Sequence, residues 1–115
     1  MPVTLGPLAA IPEGEGRCFE VGATKLAVFR ARNGRIFATD ARCPHRGGPL
    51  ADGLLGGHTL VCPLHSLRFD LETGLASDGA TRLKIYPAAL GPTGNIVVEL
   101  DVDDGERALT DRGAA

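Results

Sequence analysis

Three features of this 115-residue chain predict an all-β fold. Short β-rich segments alternate with Gly and Pro, an Asn33-Gly34 dipeptide sits between two apolar runs, and no helical periodicity persists over about ten residues. The 16 Gly and 8 Pro make about a fifth of the chain, a turn-rich composition that stops short of low complexity. A hydrophobic share of 43% is ordinary for a globular protein, and the length suits one core.

In chain order, Val3–Leu8 reads as the first strand and Arg17–Val21 as the second, separated by the turn Glu13-Gly14-Glu15-Gly16. Val21-Gly22-Ala23 marks the next turn. Lys25–Ala31 and Arg35–Thr39 flank Asn33-Gly34, the pairing expected of a hairpin because Asn and Gly tolerate positive φ. After Asp40 comes a loop over Cys43–Pro49, then a Gly-rich stretch in which Pro49–Gly53 can form a single helical turn. The strand His58–Val61 follows, then a second loop over Cys62–Leu67. Arg68–Leu71, Arg82–Tyr86 and Asn95–Val102 read as the remaining strands. Residues 1–102 are expected to form the domain, and 103–115, polar and small, a C-terminal tail.

A formal charge of -2 and a pI near 5.9 supply no basic footprint, so nucleic acid is not an expected partner. Met1 to Glu13 lacks a basic n-region and a long apolar core, and no apolar run is long enough to span a bilayer. Three cysteines are too few for a disulfide framework. The expectation is a cytoplasmic protein with no membrane partner.

The chemistry lies in two loops. Cys43-Pro44-His45 and Cys62-Pro63-Leu64-His65 each pair one thiolate with one imidazole in a tight turn after a strand. Two Cys and two His suit either a zinc ion or a mixed-ligand 2Fe–2S cluster. Zinc fingers usually present like donors from each knuckle, as C-x-x-C followed by H-x-x-x-H. Here each loop offers one of each, so each can give one ligand to each of two irons, which favours the cluster.

At these residues the sequence resembles the Rieske ferredoxin family. Cys43-Pro44-His45-Arg46-Gly47-Gly48-Pro49-Leu50 and Cys62-Pro63-Leu64-His65, followed by Phe69-Asp70, carry the resemblance, which extends from about Leu8 to Leu100. Ile11-Pro12 through Gly16, Phe19-Glu20-Val21-Gly22, Ala27-Val28-Phe29 and Gly47–Gly53 look most like cluster-bearing small subunits of NAD(P)H nitrite reductase. Ferredoxin components of ring-hydroxylating dioxygenases share the ligand motif. The resemblance implies three antiparallel sheets with the cluster loops at one tip. It implies a 2Fe–2S cluster on Cys43, His45, Cys62 and His65, with the imidazoles bound through Nδ1 and Nε2 left near solvent. It implies a redox protein partner, either a reductase, a catalytic large subunit, or both.

Two thiolates bring an oxidised 2Fe–2S core to zero charge, so an electron enters more easily than at a four-thiolate site. High-potential relatives add a disulfide between the loops and hydroxyl donors to cluster sulfur and cysteine. Gly48 and Leu64 occupy the disulfide positions here, and Leu67 and Phe69 the hydroxyl positions. Without those donors the reduced cluster is less stabilised, and a midpoint near the low end of the Rieske range, roughly -150 mV, is expected.

The chain lacks the parts to use an electron itself. A mononuclear iron on two His and a carboxylate cannot be built, since the cluster leaves only His58 of three histidines. Only Cys18 remains for a four-cysteine cluster, and Gly14-x-Gly16 is a poor dinucleotide fingerprint. No catalytic residue is therefore expected. Cys18, beside Phe19 and Val21, reads as a buried structural thiol. His58 reads as an exposed loop residue, Arg46 as solvated, Asp70 as fixing the turn that follows it, and Tyr86 as packing in the last sheet.

Overall fold

The computed structural model describes residues 2–43, 49–63 and 67–100. Among the described residues ten strands form three antiparallel sheets, as expected. The first sheet orders β1 (Pro2–Pro7), β10 (Asn95–Glu99) and β9 (Ala88–Leu90), with β10 central. The second orders β2 (Glu15–Val21), β3 (Thr24–Arg30), β4 (Ile36–Asp40) and β8 (Ile85–Tyr86). The third, smallest sheet is β5 (Leu54–Gly56), β6 (Thr59–Val61) and β7 (Arg68–Asp70).

The centre of the molecule is β3. Leu26, Ala27, Val28 and Phe29 are all fully buried, the run expected of a strand covered on both faces. Alternation divides them between two cores. Ala27 and Phe29 pack with Phe37, Cys43, Leu50, Leu60, Cys62, Phe69 and Leu71. Leu26 and Val28 pack with Ile11, Ala38, Tyr86, Ile96 and Val98. The first core thus backs the two loops, and the second joins the four-stranded sheet to β10.

Most expected strands appear within a residue or two of their predicted bounds. Arg82–Tyr86 shortens to Ile85–Tyr86, with Arg82 making only an isolated bridge to Leu75. The closing strand ends at Glu99, and the predicted tail lies outside the described residues. β5 and β9 were not anticipated. The Asn33-Gly34 turn forms as expected: Gly34 takes a φ of 90°, its amide donates to the Ala31 carbonyl, and Asn33 Oδ1 accepts from the Arg35 amide. The turn expected at Pro49–Gly53 is a short 3-10 helix over Leu50–Asp52.

Two side-chain expectations need correction. Cys18 is exposed, not buried. Phe19 and Val21 are the half-buried members of β2, and Cys18 lies on the opposite face, which is covered at Gly16 and open at Cys18 and Glu20. Tyr86 belongs to the four-stranded sheet, opposite Ala38, and not to the last sheet. Its ring still meets Ile96 and Val98 in the second core, and its hydroxyl donates to Asp40 Oδ1 at 2.7 Å.

Candidate metal centre

Both loops leave the fold from strand ends that hydrogen bonds pin in place. Beyond β4, the Ala41 amide donates to the Lys25 carbonyl and the Leu50 amide donates to the Ala41 carbonyl, each at 3.0 Å. An antiparallel bridge between Arg42 and Pro49 then closes the first loop across its base. The second loop is the β6–β7 hairpin connection. Val61 pairs with Arg68, and the Cys62 amide donates to the Leu67 carbonyl at 2.9 Å.

Cys43 and Cys62, at the first positions of these loops, are 2% and 1% exposed and belong to the same core. Leu50, Leu60 and Phe69, each fully buried, stand beside them in that core, with half-buried Leu67 against it. Among the described residues no disulfide forms, so both thiols retain the chemistry of metal ligands. His45 and His65, with Arg46, Gly48 and Leu64, lie outside the described residues. The two buried thiols, each followed within three residues by a histidine in sequence, fit a mixed thiolate–imidazole centre.

Residues 76–81 form a further loop beside β7. Ser77 donates its amide to the Arg68 carbonyl at 2.7 Å, and its hydroxyl accepts from the Arg68 amide at 3.3 Å. Asp78 ties this loop together. Its carboxylate accepts from the Ala80 and Thr81 amides and from the Thr81 hydroxyl.

Asp70 fixes its turn as expected, its Oδ1 accepting from the Glu72 amide at 2.8 Å. That bond, more than the neighbouring His58, holds the Asp70 carboxyl below the usual carboxylate value against the opposing effect of burial. His58 is exposed as predicted, but its ring meets Asp70, a contact that sequence reasoning missed. The contact follows from the hairpin register, which sets Thr59 opposite Asp70.

No helix among the described residues is long and apolar enough to cross a membrane. Residues 1–87 match the family model for the Rieske [2Fe-2S] domain. The ferredoxin component of the naphthalene 1,2-dioxygenase system of Pseudomonas aeruginosa is 38% identical over 85 residues, covering 72% of this chain and 81% of the relative. Among solved structures, Sphingomonas yanoikuyae B1 ferredoxin superposes with a TM-score of 0.76 at 28% identity, covering 88% of this chain and 100% of that one. A Mycobacterium tuberculosis protein assigned as the small subunit of an NADH-dependent nitrite reductase superposes with a TM-score of 0.81, covering 89% and 97% of the two chains. Its identity is 23%, so that likeness is one of fold. Two buried thiols at the roots of paired loops and a family match over residues 1–87 converge: the chain belongs to the Rieske [2Fe-2S] domain family, and its cofactor is a Rieske-type 2Fe–2S cluster.

Proposed function

We propose that this chain is a cytoplasmic one-electron carrier whose cluster is held by Cys43 and Cys62 on one iron and His45 and His65 on the other. The observation that carries the reading is the burial of both thiols in one core at the bases of the two loops. When bound, the cluster supplies reversible one-electron transfer at a potential raised by its imidazole ligands. The protein's own contribution is placement. The Arg42–Pro49 bridge and the Cys62–Leu67 hydrogen bond fix the loop bases, and Leu50, Leu60 and Phe69 keep water from the thiolate side.

The ligand assignment is tested by metal analysis of the purified protein. Two irons and two acid-labile sulfides per chain, with a red-brown colour, are expected, and Cys43→Ser, Cys62→Ser, His45→Ala and His65→Ala should each abolish the native visible spectrum. Colourless protein carrying one zinc would overturn it in favour of a structural Cys₂His₂ site.

For the partner, the 38% identity to a dioxygenase ferredoxin favours a carrier between a reductase and an oxygenase. The small subunit of a nitrite reductase is the second reading, supported by likeness of fold. Rapid mixing of the reduced protein with each type of acceptor separates them: the physiological acceptor reoxidises the carrier within its own turnover time. Retained activity of the complex with Cys43→Ser would instead make the cluster dispensable and the chain a stabilising subunit.

A further inference from the structure

The end of the third sheet away from Cys62 carries another set of donor groups. Pairing of Thr59 with Asp70 sets the start of β6 beside the end of β7, and the Leu71 amide donates to the His58 carbonyl at 2.7 Å. This brings the His58 ring to the turn after β7. Its Nδ1 lies 3.0 Å from Asp70 Oδ1, and donor atoms of His58, Asp70 and Glu72 all lie within 4.8 Å of one another. Among the described residues, no other group of three His, Cys, Asp or Glu side chains converges in this way.

We propose that His58, Asp70 and Glu72 bind a divalent transition-metal ion of the zinc type, at a site separate from the cluster. The imidazole decides the class of ion. Calcium and magnesium take oxygen ligands, whereas one nitrogen with two carboxylates suits zinc, cobalt or nickel. The spacing of the first two donors is already suitable. An ion about 2.0–2.1 Å from both His58 Nδ1 and Asp70 Oδ1 would subtend about 95° across their separation, between octahedral and tetrahedral values. The exposed Glu72 side chain has the freedom to close the remaining distance. Binding displaces the His58 Nδ1 proton wherever that nitrogen carries one.

One group opposes the ion. The Arg35 guanidinium pairs with Glu72 while lying 4.8 Å from the Phe37 ring centroid, so the metal must take Glu72 from it. His58 and Cys62 stand at opposite ends of β6, four residues apart, or roughly 13 Å of strand. Occupancy can therefore be read without disturbing the cluster.

The experiment is a calorimetric titration of the tag-free, cluster-loaded protein with Zn²⁺, with the visible spectrum recorded throughout. One Zn²⁺ per chain should bind with the spectrum unchanged. His58→Ala and Glu72→Gln should each weaken binding by about tenfold or more, Arg35→Ala should tighten it, and excess Ca²⁺ or Mg²⁺ should not compete. Absence of saturable binding overturns the proposal. Binding that survives His58→Ala or Glu72→Gln unchanged, in variants that keep the native spectrum, also overturns it.

Discussion

Gly53 lies so close beneath Val61 that a Cβ on it would stand 2.5 Å from the Val61 carbonyl oxygen and 3.1 Å from that of Leu50. Val61 leads directly into Cys62, and Leu50 closes the base of the loop that begins at Cys43. One glycine therefore sets the spacing between the roots of both loops. Backbone atoms cannot yield as a side-chain tip can, so Gly53→Ala should cost about 1–3 kcal/mol. We expect a lower melting temperature together with a lower iron content per chain. An unchanged melt and full iron loading would show that the two loop roots are not coupled through this contact.

Leu67 offers a second handle on the centre, through its electronics. It is half-buried against the core that contains both thiols, and it occupies a position where high-potential relatives carry a hydroxyl. The native protein should show a midpoint near the low end of the Rieske range, roughly -150 mV. Leu67→Ser introduces a donor that stabilises the more negative reduced state. A hydrogen bond stronger by about 1 kcal/mol after reduction raises a one-electron midpoint by about 40 mV. Protein-film voltammetry of the pair measures this directly, and a clearly positive midpoint in the native protein would contradict the first expectation.

Thiol reactivity should divide the cysteines in the same way as burial does. Cys18 faces outward from β2, whereas Cys43 and Cys62 are almost wholly enclosed. A maleimide should label one thiol per chain in the native, cluster-loaded protein, and three after denaturation with removal of the metal. Cys18→Ser should remove the native labelling and leave the visible spectrum intact. Labelling of two or three thiols before denaturation would mean that the loops open readily.

The parts of the fold legible in the sequence are those where local chemistry and tertiary packing agree. The Asn33-Gly34 turn and the continuous apolar run of β3 announce themselves, as do the two Cys–His loops, whose thiols lie together. β5 and β9 were illegible for a physical reason. Leu54-Leu55-Gly56 sits in a glycine-rich stretch, and Ala88-Ala89-Leu90 is built from residues that favour helices, so only pairing with β6 and β10 makes them strands. The exposure of Cys18 was only partly legible. Period two places it on the face opposite Phe19 and Val21, but that face is covered at Gly16 and open at Cys18 and Glu20, a difference only tertiary packing decides. The His58–Asp70 contact needed the β6–β7 register, which a three-residue strand does not declare.

Asp70 makes the acid limb of the stability curve predictable. Its carboxylate accepts from the Glu72 amide and faces the His58 ring, and its pKa is lowered from the ordinary carboxylate value chiefly by the amide. The unfolded chain therefore takes up the proton more readily than the folded one. The contribution is complete above the ordinary value of about 3.9 and disappears as pH falls through the lowered folded value. Asp70→Asn keeps an oxygen able to accept from the Glu72 amide but removes the charge. It should be less stable than the native protein at pH 7, with the gap closing below about pH 4. Denaturant titrations of both proteins across this range, with EDTA present to exclude added metal, supply the comparison. Taking the difference between them cancels whatever acid does to the cluster in both. A gap that stays constant down to pH 2 would assign the effect of Asp70 to its shape, not to its charge.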